Sequence, residues 1–162
     1  MQLGIISDTH LPKGRRTLPE RCVELLRSSD LIVHAGDFST PAVLEELRGL
    51  GPPLVGVHGN VDSPAVRELL PAERVLAVEG LEIGMVHDAG PARGRVARLR
   101  RRFPGAAAVV FGHSHVPLHE SEGGFQIFNP GSPTERRRSP AHTMGLGDVR
   151  DGRISFELVT LD

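Results

Sequence analysis

Polar side chains that can bind metals follow five short apolar segments of this sequence, where each segment ends. The first segment, Leu3 to Ile6, leads into Asp8 and His10, whose i, i+2 spacing lets a carboxylate and an imidazole reach one point. The full set of donors is Asp8, His10, Asp37, Asn60, His87, His113 and His115. No thiolate is among them, which excludes a structural zinc knot and predicts a mixed nitrogen–oxygen metal site.

Seven donors exceed the number that one catalytic metal needs, because such a metal keeps an open coordination position. Two ions that share a bridging carboxylate fit the number better, and two ions about 3.5 to 4 Å apart form the usual clamp for in-line displacement at phosphorus. Gly36, Gly59 and Gly112 each precede one of the donors. A glycine there lets the backbone turn sharply and approach another segment closely.

The elements that must position these donors alternate between apolar strands and helices in the first half of the chain. Strands are predicted to begin at Leu3, Leu31 and Leu54, and helices near Thr17, Thr40 and Ser63. Hairpins are predicted over 75–87 and 116–128 and around the turn residues Asp151 and Gly152, with a helix over 91–102 and a strand over 109–111. We expect a mixed sheet and a largely antiparallel sheet, packed face to face with helices outside.

Length and composition indicate one domain over residues 1–162 and limit the classes of partner. With 19 basic and 20 acidic residues the net charge is -1, so no global field attracts nucleic acid or an anionic membrane. No transmembrane segment or signal peptide is recognisable, which predicts a cytoplasmic location. The single cysteine, Cys22, lies among apolar residues and is predicted to pack in the core.

A series of short motifs runs through the chain in a fixed order: Asp8-Thr9-His10, Gly36-Asp37, Gly59-Asn60-Val61-Asp62, His87, Gly112-His113-Ser114-His115 and Asn129-Pro130-Gly131-Ser132. With these motifs the chain resembles the calcineurin-like metallophosphoesterase superfamily, in particular the small bacterial and archaeal phosphodiesterases of the YfcE type. The resemblance covers essentially the whole chain. It implies a layered αββα sandwich, in which two mixed β-sheets are flanked by helices.

The resemblance also implies a ligand set and a reaction. Asp8, His10, Asp37 and His115 would hold one divalent ion, and Asp37 would bridge to a second ion held by Asn60, His87 and His113. The implied enzyme is a phosphoric diester hydrolase that uses a metal-bound hydroxide, with no catalytic residue beyond the ligands. Manganese is the first expectation for the metal, with nickel, iron, cobalt or zinc as alternatives. The expected partner is a small phosphodiester, without membrane or nucleic acid, and family members often form homodimers.

One position departs from many family members, which have a histidine after the motif asparagine as a general acid toward the leaving group. Here that position is Val61. A valine cannot donate a proton, so the departure favours diesters over monoesters.

Two alternative functions stay open at this stage. One is a non-catalytic interaction scaffold, as in the retromer subunit of the same fold, although a scaffold has no need for seven metal donors. The other is a nuclease, aided by the arginines of the 91–102 helix, although these arginines fall on more than one helix face.

Several residues near the motifs have two open interpretations each. Asp88 is either a partner of the ligands or solvated, and Arg136 and Arg137 either contact a phosphate or face solvent. We expect Asp62 to orient the Asn60 loop, and His34 and His58 to be structural.

Overall fold

Two five-stranded β-sheets form the body of the molecule, as seen in a computed structural model that describes residues 1–162. The strands are β1 (Gln2–Ile6), β2 (Leu31–His34), β3 (Leu54–Gly56), β4 (Glu73–Val78), β5 (Leu81–Val86), β6 (Ala108–Val110), β7 (Leu118–Glu122), β8 (Phe125–Asn129), β9 (Thr143–Arg150) and β10 (Arg153–Thr160). The helices are α1 (Glu20–Ser28), α2 (Pro41–Arg48), α3 (Pro64–Leu69) and α4 (Arg95–Arg102). None of these helices is both long and apolar enough to cross a membrane.

The first sheet has the strand order β10-β9-β1-β2-β3 and is mixed, as the sequence predicts. Its strands β1, β2 and β3 run parallel, because α1 and α2 return the chain to the same end of the sheet each time. The C-terminal hairpin β9–β10 adds to the free edge of β1 in the antiparallel direction. Asp151 and Gly152 join this hairpin with φ angles of 51° and 70°, the left-handed backbone of a two-residue turn.

The second sheet has the strand order β4-β5-β6-β8-β7, and the prediction that it is largely antiparallel is wrong. The predicted hairpins β4–β5 and β7–β8 are present, but β6 runs parallel to both β5 and β8. The cause lies in the connections: α4 returns the chain to the starting end between β5 and β6, and β7 lies outside β8 rather than between β6 and β8.

A shared apolar core fills the space between the two sheets. Ile5 and Val33 of the first sheet belong to the same buried cluster as Met85 and Val110 of the second. Side chains alternate between the two faces of a strand, so neighbours on β1 serve different cores, and Ile6 packs on the opposite face from Ile5. Both faces of β1 are therefore buried, as is typical of parallel strands in layered α/β folds.

Helices cover the outer face of each sheet. Leu26 of α1, Leu44 of α2 and Val66 of α3 are buried in the cluster on the outer face of the first sheet. Leu99 and Phe103, at α4 and its end, are buried on the outer face of the second. The layers therefore follow the order helix, sheet, sheet, helix, which confirms the predicted αββα sandwich.

Cys22 is buried in α1, as the sequence predicts. Burial raises the pKa of its thiol to about 12, so the thiolate that would react or ligate is absent at neutral pH.

Close packing between the sheets predicts which glycine of β9 tolerates a methyl group. A Cβ at Gly145 would lie 2.3 Å from the Phe128 ring, whereas a Cβ at Gly147 would lie no closer than 3.3 Å to any neighbour. We expect Gly145→Ala to lower the free energy of unfolding by about 1 to 3 kcal/mol through overpacking. Gly147→Ala, on the same face of the same strand, is the matched control and should cost less. Equal urea midpoints for the two variants would contradict this packing argument.

Candidate metal centre

All seven predicted donors lie on loops that follow β1, β2, β3, β5 and β6, at one edge of the sandwich. Asp8 and His10 follow β1, Asp37 follows β2, Asn60 follows β3, His87 follows β5, and His113 and His115 follow β6. The carboxyl ends of parallel strands meet at one edge of a sheet, where ligands bind in α/β folds. Because the two sheets face each other, the edge collects donors from both.

The backbone at this edge adopts unusual conformations. Five of the seven donors have φ in the left-handed region, with values of 56° at Asp8, 44° at His10, 65° at Asp37, 72° at His113 and 62° at His115. Such residues persist only where the surroundings hold them, and they cluster at functional sites. Main-chain hydrogen bonds hold two of them here: the Asp8 N–H donates to Gly36 O at 2.9 Å and the His10 N–H to Asp37 O at 3.1 Å.

The first part of the cluster gathers around Asp8. The Asp8 Oδ1 lies 3.4 Å from His115 Nε2 and 3.8 Å from His10 Nε2. These two imidazole nitrogens are 3.1 Å from each other. The three ligand atoms thus converge within the distance that one ion can span.

The second part gathers around His87. Its Nε2 lies 3.1 Å from Asp37 Oδ2 and 3.1 Å from Asn60 Oδ1. The Asn60 Oδ1 also lies 3.1 Å from His113 Nδ1. Two carboxylates connect the parts, because Asp37 Oδ2 is 3.5 Å from His10 Nε2 and Asp8 Oδ1 is 3.7 Å from His87 Nε2. The structure therefore brings all seven side chains into one continuous group.

One oxygen of this group is buried without a partner. Asp8 Oδ2 accepts hydrogen bonds from the Ser7 hydroxyl at 2.9 Å and from the His113 N–H at 3.0 Å. Asp8 Oδ1 has no hydrogen-bond partner, although its side chain is fully buried. A buried oxygen of this kind is rare in proteins and calls for an unseen partner such as an ion. The residues present therefore fit divalent metal ions.

Two of the imidazoles are oriented by main-chain carbonyls. The His87 Nδ1–H donates to Ala35 O at 2.7 Å, and the His115 Nδ1–H donates to Glu135 O. Each bond leaves the opposite nitrogen, Nε2, as the one that faces the cluster. Metal-binding histidines generally use their second nitrogen in this way to fix the ring.

Three groups of the metal-free cluster have shifted pKa values: those of Asp37 and His115 are lowered, and that of His87 is raised. Burial opposes ionisation of Asp37, but the hydrogen bond and charge of His87 outweigh it and lower the pKa of the carboxyl to about 2. Burial lowers the pKa of His115, with the Asp8 charge opposing. Burial also acts against His87, yet its hydrogen bond to Asp37 and the charge of Asp8 raise the pKa of this imidazole. Asp37 is thus an anion at neutral pH, as a metal ligand must be.

Asp62 joins two of the loops through its carboxylate. Its Oδ2 accepts the N–H groups of Gly59 at 2.7 Å and Asp37 at 3.0 Å, and its Oδ1 accepts that of Ser39 at 2.7 Å. The expected link to the Asn60 loop is therefore present, and the same carboxylate also holds the Asp37 loop.

His34 connects two of the loops that carry donors, as the expected structural role implies. Its Nδ1 accepts the Gly36 N–H at 3.1 Å, so its Nε2 carries the proton and donates to the Thr9 hydroxyl at 3.1 Å. Burial, together with the charge of His87, lowers the pKa of His34 to about 3. The neutral ring thus connects the loops that carry Asp8 and Asp37.

The Asn129 to Ser132 motif supports the donor loops, together with Thr134 and Glu135, which the sequence analysis did not single out. The Ser132 hydroxyl donates to Asp8 O at 2.7 Å, and the Thr134 hydroxyl donates to Thr9 O at 2.6 Å. The Asn129 amide donates to Gly112 O at 3.0 Å. Thr134 and Glu135 support the site through hydrogen bonds that end on main-chain carbonyls. Such hydrogen bonds cannot be predicted from a pattern of residue types.

Two glycines are required by close approach. A Cβ at Gly59 would lie 2.1 Å from Asp37 Oδ1, and a Cβ at Gly112 would lie 1.9 Å from the Ser7 hydroxyl. These distances show the close approach that the sequence predicts at both glycines.

The structure shows the surroundings of Asp88, Arg136 and Arg137, each of which had two open interpretations. The Asp88 carboxylate is exposed and accepts the Gly90 N–H at 2.8 Å, which closes a turn. The Arg136 guanidinium donates to Pro140 O at 2.9 Å. Arg137 is exposed, and its charge is one of the smaller influences that lower the pKa of His115.

Most arginines of α4 are engaged within the protein. Arg95 donates to Gly90 O, Arg98 donates to Ala89 O and Pro91 O, and Arg102 pairs with Glu73. Their guanidinium groups fasten the loop after β5 and strand β4. The engagement of Arg95 and Arg98 with main-chain carbonyls weakens the nuclease interpretation, which requires the arginines of α4 to face a nucleic acid.

Residues 1–152 match the calcineurin-like phosphoesterase superfamily domain. The chain belongs to this superfamily. A calcineurin-like relative, the probable metallophosphoesterase of Methanothermobacter thermautotrophicus, is 35% identical over 159 residues, which cover 95% of this chain and 91% of the relative. A phosphodiesterase of Methanocaldococcus jannaschii is 24% identical over 146 residues, which cover 81% and 83% of the two chains.

Solved structures of the superfamily fold superpose along the whole chain. A Thermotoga maritima protein solved by NMR is 32% identical with a TM-score of 0.78, and the match covers 99% of each chain. Vps29 from Entamoeba histolytica, crystallised with Zn²⁺, is 21% identical with a TM-score of 0.79, and the match covers 100% of each chain. The Vps29 comparison establishes likeness of fold.

The three hydrogen bonds of Asp62 generate a prediction. Asp62→Asn places an amide NH₂ against at least one of the three N–H groups, which should cost about 1 to 3 kcal/mol of unfolding free energy. Metal content after purification should also fall, because both loops loosen. Asp30→Asn is the control, since the exposed Asp30 accepts only the N–H of Gln2, at 2.6 Å, and lies at the opposite end of β2 from Asp37. Urea titration in excess chelator and metal analysis measure the two effects. A normal metal content in Asp62→Asn would contradict the positioning argument.

Proposed function

We propose that this protein is a dinuclear, metal-dependent phosphodiesterase. The observation that carries the proposal is the convergence of three imidazoles on Asp8 Oδ1, a buried oxygen without a hydrogen-bond partner, within a continuous group of seven donors. Membership of the superfamily and the relative named a phosphodiesterase support the same reaction class.

The proposed ligand sets follow the two parts of the cluster. Asp8, His10, Asp37 and His115 would hold one ion, and Asp37, Asn60, His87 and His113 the other. Divalent ions in such a site lower the pKa of coordinated water to about 7 and neutralise charge on the phosphoryl oxygens. The bridging part assigned to Asp37 agrees with its position between His10 and His87.

Asn60 has two uses in this proposal. Its Oδ1 faces His87 and His113, so its Nδ2 group is turned away from these rings and is available as a donor. Asn60 is exposed, which gives a phosphoryl oxygen access to that donor. A donor aimed at an oxygen that gains charge stabilises the transition state.

Val61 favours diesters in this scheme. Its N–H donates to Asp37 Oδ1 at 3.0 Å, whereas its side chain is 46% exposed. The main chain therefore supports the ligand, and the valine side chain is open to solvent. No proton donor is supplied from this position.

The observed fold also suits a second candidate, a non-catalytic scaffold, because the Vps29 structures superpose over the whole chain. Metal-dependent turnover separates the two candidates. The cytoplasmic location, the homodimer and the single domain over 1–162 stay predictions from the sequence.

Metal removal tests the proposed cofactor. Excess chelator should abolish hydrolysis of an aryl phosphodiester, and Mn²⁺ or Ni²⁺ should restore it better than Mg²⁺. The reason is the imidazole share of the donors, since Mg²⁺ prefers oxygen ligands and retained waters. Metal analysis should give two ions per chain. Full activity in excess chelator would contradict the proposal.

Substitution of Val61 tests the missing acid. A positioned general acid contributes about 10² to 10⁴-fold, and a monoester depends on it more than an activated diester does. Wild type should therefore prefer an aryl diester over the matched aryl monoester. Val61→His should raise monoester kcat/KM selectively, while Val61→Asn, of similar polarity without an imidazole, serves as control. An unchanged ratio in a histidine variant that still holds both ions would show that pocket shape sets the preference instead.

A further inference from the structure

A cavity of about 280 Å³ opens directly beside the candidate metal centre. It shares Asn60 and His87 with the centre, and Arg67, Arg102, His58 and Asp88 also line it. Its two apolar lining residues, Ala72 and Val86, offer no flat surface on which a base could stack. Most of the lining residues are polar, and the guanidinium groups of Arg67 and Arg102 supply its positive charges.

Arg67 is held in place and lacks a carboxylate partner. Its Nε donates to Asp62 O at 3.0 Å and its Nη2 to Asn60 O at 2.8 Å. Both acceptors are neutral main-chain carbonyls, so the positive charge of the guanidinium is not compensated by an ion pair. Its Nη1 makes no hydrogen bond within the protein.

Arg102 is also held in place, and one nitrogen of its guanidinium group is free to donate. Its Nε and Nη2 lie 2.7 Å and 2.6 Å from Glu73 Oε2, an ion pair at the surface. Its Nη1 makes no hydrogen bond within the protein. Asp88 is the one carboxylate that lines the cavity, and it accepts the Gly90 N–H. The cavity therefore presents two anchored guanidinium groups, each with an Nη1 that is free to donate, and Glu73 compensates the charge of Arg102 but not that of Arg67.

We infer that this cavity binds a second phosphate group of the substrate, attached to one of the two esterified alcohols. The inference rests on the proposed function and names its substrate class: phosphodiesters that carry a further phosphate beyond the scissile one. Guanidinium groups suit this task because their planar donor arrays match phosphate oxygens. A substrate of this kind would place its scissile phosphorus at the seven donors and its second phosphate between Arg67 and Arg102.

Arg102 is the better residue to change in a test. Loss of the Arg67 side chain would also release the Asn60 loop. An effect on substrate binding would then not be separable from an effect on metal retention. Arg102→Met removes one cavity donor without touching any proposed ligand. Arg101→Met makes the same charge change on the neighbouring exposed residue of α4, outside the cavity. Glu73→Gln removes the carboxylate but keeps an acceptor for the guanidinium, so it isolates the structural part of the ion pair.

Two matched substrates and two matched ligands provide the readouts. The substrates are thymidine 5′-(4-nitrophenyl phosphate) and its 3′-phosphorylated form, assayed by nitrophenolate release. The ligands are thymidine 5′-monophosphate and thymidine 3′,5′-bisphosphate, titrated calorimetrically into the metal-loaded protein. Wild type should favour the 3′-phosphorylated member of each pair by about tenfold, the range of one charge-assisted hydrogen bond. Arg102→Met should reduce that preference several-fold, whereas Arg101→Met and Glu73→Gln should keep it.

The outcomes separate this inference from the proposed function. Equal efficiencies and equal affinities within each pair for wild type would overturn the inference while turnover of both substrates upholds the diesterase. An equal loss in Arg101→Met, or in Glu73→Gln, would also overturn it, because long-range charge or local structure would then explain the effect. Tight, Arg102-dependent binding of the bisphosphate without turnover of either substrate would sustain the phosphate site and refute the diesterase.

Discussion

The site depends on one oxygen of the buried Asp8 carboxylate, Oδ1, which has no hydrogen-bond partner. One oxygen of this carboxylate is satisfied by Ser7 and by the His113 N–H, which turns the other oxygen toward the imidazoles of His10, His87 and His115. A buried carboxylate oxygen without a partner is costly unless a cation or donor compensates it. Bound cations would compensate this oxygen. Metal binding would therefore raise the free energy of unfolding.

Support for the donors comes from the main chain more than from other side-chain pairs. The Asp62 carboxylate and the Ser132 hydroxyl each connect two segments through backbone groups, and the His34 ring joins the Gly36 N–H to the Thr9 hydroxyl. These bonds hold residues whose φ angles are otherwise unfavourable. Precise placement of a metal ligand requires such outer contacts, since a free side chain samples several rotamers.

The sequence announces the donors because each of them follows an apolar strand. The apolar segments that end at Ile6, Val33 and Phe111 are each followed abruptly by polar residues or glycine, and this change is visible in the sequence alone. The parallel pairing of β6 with both neighbours is not marked, because it depends on the path of α4 and on the outer position of β7. Thr134 and Glu135 were likewise invisible, since they act through a hydroxyl bond to a carbonyl and through a carbonyl itself.

The pairing of β1 with β9 has a consequence for biosynthesis. Residues 2–6 leave the ribosome well before their antiparallel neighbour at residues 143–150. Until that neighbour arrives, one side of β1 is an open edge, and such edges invite pairing with other chains. The Asp8 carbonyl also waits for the Ser132 hydroxyl. Assembly of the centre is therefore postponed until residues 132–150 have been made, so translation products that end before them would leave this edge of β1 unpaired and would lack the Ser132 support.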